Sequence, residues 1–255
     1  MNKSDCIVFD DVTIAYGTEE AVRNISFSVP NGEVFAIVGE SGSGKSTLVS
    51  AAFGMLKQAT ITGQILLNGI DISTLSDSDW RKLRGTEISM IFQNPSAYLN
   101  PNRTVENHFK DLFRAHGESY DASRVIDMLN LVHLDGGERI LQSYPFQLSG
   151  GMQQRLAIAL SLILKPTIVF ADEPTSALDI LVQASVLDLL REVTQALGAT
   201  VIIVTHNIKA AARIAHSIGV MNKGQLVEVG STEEVMAHPK DKYTRILLDS
   251  VMKVV

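Results

Sequence analysis

Three short apolar runs lack the alternation of hydrophobic and polar residues that marks a half-exposed strand. They are EVFAIV (33–38), PTIVFA (166–171) and TVIIV (200–204). Such runs are typical of parallel strands that are covered on both faces. Helical patterns follow them, at Lys45–Leu56, Ile180–Leu197 and Asn207–His216. This alternation predicts a doubly wound α/β sheet, with ligands bound at the carboxyl ends of the strands.

The rest of the chain divides by pattern. IVFDDVTIAY and VRNISFSV resemble strands, and ITGQILLNGIDI resembles a hairpin that turns at Asn68-Gly69. Between Phe92 and Pro166 helical patterns occur without an apolar strand, which predicts a helical subdomain inserted into the α/β core. The stretch TEEVMAHPKDKYTRILLDSVMK near the end of the sequence predicts a small helical end piece.

A glycine-rich segment, GESGSGKS, follows the first apolar run directly. It matches G-x-x-x-x-G-K-[ST], in which glycines let successive backbone N–H groups point inward at phosphate oxygens. We expect Lys45 to reach the β- and γ-phosphates and the Ser46 hydroxyl to ligate Mg²⁺. The predicted residues of this nucleoside triphosphate site are Gly39, Glu40, Ser41, Gly42, Ser43, Gly44, Lys45, Ser46 and Thr47.

Polar residues follow three other apolar runs. Asp172, at the end of the second run, is suited to hold the hydration shell of Mg²⁺, and the adjacent Glu173 to act as the general base on an attacking water. His206 follows the third run and is predicted to contact the γ-phosphate. Gln93 follows MIF, and its amide oxygen suits either Mg²⁺ or water. The alternatives are solvated acids before a turn and an incidental histidine.

A second anion-binding pattern lies far along the chain, in QLSGGMQQR (147–155). Ser149 is a good N-cap for the apolar helix that follows. Gly150 and Gly151 bring the backbone at the helix start close to whatever lies outside it. The sequence therefore contains two phosphate-binding patterns, and spacing alone does not explain the second.

Composition excludes several classes of function. The chain has 255 residues and a net charge of −6 without a basic run, which argues against binding to nucleic acid or directly to anionic lipid. Its single cysteine, Cys6, excludes an intramolecular disulfide and a four-thiolate cluster. The longest apolar run, Leu156–Leu164, ends at Lys165-Pro166 and is too short to span a membrane. We therefore do not expect the chain to enter a bilayer by itself.

Together these motifs resemble an ABC-transporter ATP-binding cassette, in the family's order and without degeneracy. The further matching elements are the glutamine loop at Gln93, the signature motif Leu148–Arg155, the Walker-B segment Ile168–Glu173, the D-loop Ser176-Ala177-Leu178-Asp179 and the switch histidine His206. Tyr16 lies where the family places its adenine-stacking aromatic residue, although a strand-surface role fits it equally well.

The resemblance implies an α/β P-loop NTPase fold. A RecA-like parallel-sheet core would carry an antiparallel β subdomain and an inserted α-helical subdomain. We expect a single cassette over residues 1–255. Its predicted parts are a nucleotide-binding core at 1–92 and 166–230, a helical signature subdomain at 93–165 and a C-terminal helical tail at 231–255.

The resemblance also implies partners. In the family two ATP molecules are held between two cassettes, so Ser149, Gly150 and Gly151 are expected to act on the γ-phosphate bound by a second ATPase subunit, identical or different. Two transmembrane permease subunits would contact the segment after Gln93, and an extracytoplasmic solute-binding protein would act indirectly. The implied location is peripheral, on the cytoplasmic face of the inner membrane, with ATP and Mg²⁺ as ligands and no nucleic acid.

A narrower resemblance concerns the transported solute. LRGTEISMIFQNPSAYLNP, YPFQLSGGMQQR and HPKDKYTRILL are similar to segments of the ATPases of peptide and nickel importers. Peptide-importer ATPases commonly continue into an extension with a cysteine cluster, which this sequence lacks. The leading expectation is therefore an importer of nickel or a metal chelate, and the alternative is a di- or oligopeptide importer. Less favoured are a soluble non-transport ABC ATPase and a cassette that binds ATP without turnover.

Overall fold

The computed structural model describes residues 5–176 and 178–252. Ala177 of the predicted D-loop, and residues 1–4 and 253–255 at the ends of the predicted cassette, lie outside the described residues. The strands are β1 (Asp5–Tyr16), β2 (Glu19–Pro30), β3 (Val34–Val38), β4 (Thr60–Leu67), β5 (Ile70–Asp71), β6 (Ile88–Ile91), β7 (Ile168–Asp172), β8 (Thr200–Thr205), β9 (Ser217–Asn222) and β10 (Gln225–Ser231).

The strands form two sheets. A four-stranded antiparallel sheet has the order β2-β1-β4-β5, and a six-stranded sheet has the order β10-β9-β3-β8-β7-β6. Within the larger sheet β9, β3, β8, β7 and β6 are parallel, and β10 is an antiparallel edge strand. The prediction of a parallel sheet is confirmed, because all three continuous apolar runs become buried strands of this sheet.

A column of aromatic rings joins the two sheets. Phe9 in β1 stacks on Phe27 in β2 with ring centroids 4.6 Å apart, and Phe27 stacks on Phe35 in β3 at 4.7 Å. The alternating strands of the antiparallel sheet turn their apolar faces inward, so these rings reach the parallel sheet. The hairpin β1–β2 is thereby fixed against β3.

The helices are α1 (Lys45–Ala52), α2 (Asp77–Leu83), α3 (Val105–Ala115), α4 (Ala122–Leu131), α5 (Glu138–Gln142), α6 (Gly150–Leu162), α7 (Ile180–Leu197), α8 (Ile208–Ile214), α9 (Thr232–Ala237) and α10 (Lys242–Met252). The helices α3 to α6 lie between β6 and β7, as the sequence predicts for an inserted helical region. Among the described residues no helix combines the length and the apolar character that a membrane crossing needs.

Local differences from the sequence prediction have physical causes. Helix α1 ends at Ala52 instead of Leu56, because Gly54 takes a positive φ of 69° and its backbone approaches the ring of Trp80. Helix α8 is shorter than predicted at both ends; Asn207 is its N-cap, with the side chain accepting from the backbone N–H of Ala210 at 3.2 Å. Sequence patterns did not predict α2, β9 or β10, of which β9 matters most because it lies beside β3.

The register of the parallel sheet brings the predicted site residues to one edge. Val38, the last residue of β3, is paired with Thr205, which immediately precedes His206. Asp172 at the end of β7 is paired with Val204. The phosphate loop, the acids and the histidine therefore follow neighbouring strands at their carboxyl ends, as this type of sheet requires for a ligand site.

Candidate functional site

The loop between β3 and α1 wraps around a buried lysine. Lys45 is 4% exposed, and its Nζ donates hydrogen bonds to the carbonyl oxygens of Gly39 at 2.8 Å and Glu40 at 2.7 Å. The Ser43 Oγ lies 3.4 Å from the same nitrogen. Burial lowers the pKa of Lys45, and the nearby carboxylates, Glu173 first, oppose that shift. The ammonium is therefore held in place by its own loop.

Two glycines allow the loop to lie against neighbouring strands. A Cβ atom on Gly39 would lie 2.0 Å from the backbone oxygen of Met221 in β9. Gly44 has a φ of 98°, and a Cβ there would lie 2.6 Å from the backbone oxygen of Ala21 in β2. The turn after β9 adds a direct bond, in which the backbone N–H of Gly224 donates to the Ser43 oxygen at 3.0 Å. Only glycine fits at these two approaches.

Ser46 and Asp172 meet at the start of α1. The Ser46 Oγ donates a hydrogen bond to the Asp172 Oδ1 at 2.8 Å, across 126 residues of sequence. Burial raises the pKa of the Asp172 carboxyl, and the charge of Glu173 adds to the shift, whereas the Ser46 hydrogen bond and Lys45 oppose it. The hydroxyl and the carboxyl group are thus in direct contact, and burial favours the neutral form of this acid more than water would.

Glu173 lies beside His206. The His206 Nδ1 is 3.2 Å from the Glu173 Oε2, and the side chains are 59% and 17% exposed respectively. An ionised carboxylate only accepts hydrogen bonds, so Nδ1 carries the proton in this contact. Glu173 has a positive φ of 43°, which is uncommon for a residue with a side chain. Its backbone N–H donates to the Val204 oxygen at 2.9 Å, which holds this conformation next to β8.

A cavity of about 410 Å³ opens beside the loop. One wall consists of the predicted site residues Ser41, Gly42, Gly44, Lys45, Ser46, Thr47 and Glu173. The other wall consists of residues from β2 and from the β9–β10 turn, namely Glu19, Glu20, Ala21, Arg23, Lys223 and Gly224. The phosphate loop and Glu173 therefore face one space.

Sequence reasoning missed the cations of the second wall. The Arg23 Nη2 donates to the backbone oxygen of Lys223 at 2.7 Å, so the β9–β10 turn holds the guanidinium at the cavity rim. Lys223 has a positive φ of 47° in this turn. Neither residue belongs to a motif. The Lys223-Gly224 turn between two apolar runs was the only signal in the sequence, and it marks a hairpin, not a ligand site.

Besides the signature residues, seven predicted site residues do not line the cavity: Tyr16, Gly39, Glu40, Ser43, Gln93, Asp172 and His206. Gln93 is exposed and follows β6, whose last residue, Ile91, is paired with Ala171 in β7. It is thus at the same sheet edge as Asp172. Tyr16 is 42% exposed and is paired with Glu19 across the β1–β2 hairpin, next to the cavity rim.

The signature residues are also apart from the cavity. Ser149 is the N-cap of α6, and its Oγ accepts from the backbone N–H of Met152 at 3.3 Å, which confirms the predicted cap. Ser149 and Gly150 are exposed, and they and Gly151 do not line the cavity. A Cβ on Gly150 would lie 3.6 Å from Leu178 of the D-loop. The second anion-binding pattern therefore faces outward.

The D-loop is tied to the acid at the end of β7. Both the backbone N–H and the Oγ of Ser176 donate to the backbone carbonyl oxygen of Glu173, each at 3.2 Å. The backbone N–H of Leu178 donates to the Thr175 oxygen at 3.1 Å, and the Gln183 side chain donates to the Leu178 oxygen at 2.8 Å. Glu173 is thus connected through one short turn to Leu178, the residue that lies against Gly150.

Comparison with known proteins agrees with this arrangement. Residues 22–176 match the model of the family described as ABC transporter. The chain is 43% identical over 245 residues to the dipeptide transport ATP-binding protein DppD of Bacillus subtilis (strain 168), which covers 93% of this chain and 73% of the relative. It is 41% identical over 242 residues to the oligopeptide transport ATP-binding protein OppD of Lactococcus lactis subsp. cremoris (strain SK11). This match covers 93% of this chain and 72% of the relative.

Solved structures show the same fold. The ATP-binding cassette MJ0796, in a dimeric post-hydrolysis state bound to ADP and Pi, is 31% identical with a TM-score of 0.77, over 89% of this chain and 98% of that one. The protein cbiO1 from Clostridium perfringens, part of the ABC transporter complex cbiONQ, is 28% identical with a TM-score of 0.80, over 98% of both chains. The predicted α/β P-loop NTPase fold with a helical insertion is confirmed, and the chain belongs to the ABC transporter family as a subunit that binds and hydrolyses ATP.

Proposed function

We propose that the cavity beside the phosphate loop is the ATP site and that the residues at the adjoining sheet edge hydrolyse the nucleotide. The observation that carries this proposal is the convergence of three pairs: Lys45 with the loop carbonyls, Ser46 with Asp172, and Glu173 with His206. The N–H groups of the loop and the start of α1 supply further donors for phosphate. Residues Gly39 to Thr47 hold the triphosphate, and Lys45 exchanges its carbonyl partners for phosphate oxygens.

Mg²⁺ fits the same place. Ser46 and Asp172 present one hydroxyl and one carboxylate oxygen 2.8 Å apart, a donor set that suits this cation. Among the described residues there is no group of three or more His, Cys, Asp or Glu that would form a complete protein cage. That agrees with the preference of Mg²⁺ for one or two protein ligands completed by phosphate and water. Gln93 is the proposed third ligand, and the bound ion would neutralise charge on the phosphates.

Glu173 is the proposed general base. Its carboxylate accepts a proton from the attacking water, a role that typically contributes about 10²–10⁴-fold to the rate. His206 positions that carboxylate through its Nδ1–H and presents its exposed face to the γ-phosphate. Gln93 lies at the same sheet edge, where its amide orients water. The positive φ of Glu173 aims the side chain, and the bond to Val204 maintains it.

Tyr16 is the proposed platform for the adenine base. It is exposed, and its strand partner Glu19 lies in the cavity wall. Stacking on an aromatic ring would bury one face of the base while leaving its polar edge accessible. This places the base at the rim of the cavity and the triphosphate along the loop.

We further propose that Ser149, Gly150 and Gly151 act on ATP held by a second cassette. Ser149 and Gly150 are exposed, and all three residues lie outside the cavity of their own chain. Ser149 begins a helix whose first N–H groups suit an anion. A related cassette is described in a dimeric state bound to ADP and Pi. Because a shared γ-phosphate would bring donors from both subunits together, its loss on hydrolysis would reopen the dimer.

The proposed transported solute is a short peptide. The alternative prediction from the sequence, a di- or oligopeptide importer, is supported by the relatives DppD and OppD at 43% and 41% identity. Nickel or a metal chelate has no such support here and stays a prediction. In this proposal the chain sits at the cytoplasmic face of the inner membrane, pairs with a second ATPase, and drives two permease subunits supplied by an extracytoplasmic binding protein. It does not act on nucleic acid.

The experiment that tests this proposal is purification with ATP from detergent-solubilised native membranes, using a tagged Glu173→Gln variant. We expect two polytopic proteins to accompany it, and the wild-type complex in vesicles to accumulate a labelled dipeptide when ATP is supplied. The same complex with Lys45→Ala is the control and should accumulate none. Recovery of the chain alone, or with soluble partners only, would contradict the transporter assignment. Uptake of Ni²⁺ in place of peptide would favour the nickel prediction.

A separate variant tests whether the signature residues act on the ATP held by the partner cassette. Ser149→Arg should spare ATP binding and abolish turnover, because the new side chain obstructs the partner's phosphate without entering its own cavity. Ser123→Arg, at an exposed position in α4, is the matched control and should behave as wild type. Equal loss of binding and turnover in Ser149→Arg would instead show that the signature acts on its own nucleotide.

A further inference from the structure

The tail of the chain touches the phosphate loop. Tyr243 in α10 is half-buried against the main hydrophobic cluster, and its hydroxyl oxygen accepts a hydrogen bond from the backbone N–H of Glu40 at 3.1 Å. The two residues are 203 positions apart in sequence. Neither Glu40 nor Tyr243 is among the residues that line the cavity. The tail therefore contacts the phosphate loop itself and does not form part of the cavity wall.

One peptide unit connects this contact to Lys45. The N–H of Glu40 and the carbonyl of Gly39 belong to the same planar peptide bond, in which they point in opposite directions. The N–H donates to Tyr243 at 3.1 Å, and the carbonyl accepts from the Lys45 Nζ at 2.8 Å. Because hydrogen bonds in a chain polarise one another, each bond strengthens the other. Tyr243 and Lys45 are therefore hydrogen-bonded to opposite sides of the same planar peptide group.

The tail has its own anchor, independent of the loop. The buried Glu228 in β10 accepts from the backbone N–H of Lys240 at 2.8 Å and of Asp241 at 3.0 Å, just before α10 begins. The Tyr243 backbone N–H donates to the Asp241 side chain at 2.7 Å. Both the entry to α10 and the position of Tyr243 are therefore set by β10, the edge strand of the sheet.

We propose that Tyr243 is a positioning residue of the ATP site, which orients the Gly39–Glu40 peptide and through it the Lys45 ammonium. This inference rests on the proposed role of the loop in ATP binding. Without the hydroxyl the Glu40 N–H loses this partner, the peptide is held only through the Gly39 carbonyl, and the orientation of Lys45 is less strongly fixed. The loop must then be ordered by the nucleotide itself, which weakens binding.

The test is Tyr243→Phe, which retains the ring packing and removes only the acceptor. Loss of one hydrogen bond predicts ATP and ADP affinities about threefold to tenfold weaker by calorimetry, with kcat at saturating ATP much less affected. Tyr120→Phe is the matched control, because Tyr120 packs on Phe113 among the inserted helices and does not touch the loop. Unchanged affinity in Tyr243→Phe, or an equal loss in Tyr120→Phe, would overturn the proposal.

A double variant separates positioning from a general structural effect. If Tyr243 acts through Lys45, then Lys45→Ala with Tyr243→Phe should bind ATP no more weakly than Lys45→Ala alone. Additive losses would overturn the proposal, because they would mean that Tyr243 supports the site independently of the lysine. If Lys45→Ala itself leaves ATP affinity unchanged, the proposed role of the loop fails instead, so the two failures are distinguishable.

Discussion

The His206 Nδ1 lies 3.2 Å from the Glu173 Oε2, although the two residues follow different strands of the sheet. The contact arises because β7 and β8 are neighbouring parallel strands that end at the same edge. A general base that is already hydrogen-bonded to an orienting group has fewer side-chain conformations, so less conformational entropy is lost when it contacts the attacking water. We therefore propose unequal roles for these residues, with Glu173 reacting and His206 orienting it.

Glu173→Gln should retain ATP binding and lose turnover by about 10²-fold or more, because the amide accepts no proton. Its similar shape preserves the contact with His206, so ATP should persist on the enzyme and favour the closed dimer. Single-turnover hydrolysis and gel filtration with ATP measure the two effects. Glu233→Gln, at an exposed site in the first turn of α9, is the control for the loss of one charge. Normal turnover in Glu173→Gln would mean that the base lies elsewhere.

His206→Ala should lower kcat by about 10²–10³-fold, the usual effect of removing one well-aimed group at a developing charge. ATP affinity should change little, since Lys45 and the loop retain their contacts. The measurement is steady-state ATP hydrolysis alongside calorimetric binding. His238→Ala is the matched control, because His238 is exposed at the end of α9. A loss confined to binding would contradict the orienting role given to His206.

Lys45→Ala should weaken ATP binding about tenfold to a hundredfold, the range for removing a hydrogen bond to a charged group. The variant also leaves the carbonyls of Gly39 and Glu40 without their present donor. Calorimetry with ATP checks the expectation, and Lys57→Ala, an exposed lysine after α1, is the control. Wild-type affinity in Lys45→Ala would show that another cation, such as Arg23 or Lys223, holds the phosphates.

The sequence predicted the site residues that belong to motifs. It missed the residues that come close to the site only in the folded chain. The phosphate loop, Asp172 and His206 each lie at the carboxyl end of an apolar strand, so the rule that parallel strands end at one edge was enough to group them. Arg23, Lys223 and Tyr243 reach the same site from a hairpin strand, a tight turn and the tail. Their positions depend on the pairing of β9 with β3 and on the packing of α10, which no local pattern encodes.

Gly39→Ala should destabilise the protein by about 1–3 kcal/mol, the usual range for forcing extra atoms into a packed site. The added Cβ would meet the Met221 backbone oxygen at 2.0 Å, and a backbone atom cannot rotate away as a side chain can. Urea unfolding measures the loss. Gly69→Ala is the control, since a Cβ there has no neighbour within 4 Å and meets only the strain of a positive φ. Gly39→Ala should lose more stability than Gly69→Ala, and the reverse order would contradict the close approach.

Asp172→Asn should make the nucleotide-free protein more stable at neutral pH while abolishing turnover. Burial and Glu173 raise the pKa of Asp172 above its ordinary value of 3.8, so the folded state binds this proton more tightly than the unfolded state. Binding this proton contributes to the free energy of unfolding. The contribution is complete below pH 3.8 and is lost as the pH rises through the raised pKa of Asp172. At neutral pH wild type therefore carries an unfavourable charge, which asparagine removes while still accepting from Ser46.

The advantage of Asp172→Asn is accordingly pH-dependent. Unfolding without nucleotide or Mg²⁺ should show a higher midpoint for the variant than for wild type at pH 7. The difference should shrink as the pH falls through the raised pKa of Asp172, because wild type then also becomes neutral at this position. Adding Mg²⁺ with ATP should reverse the order, because a charged carboxylate binds the cation more strongly than the neutral amide of asparagine. A variant less stable than wild type at pH 7 would mean that ionised Asp172 is already compensated by Lys45 and Ser46.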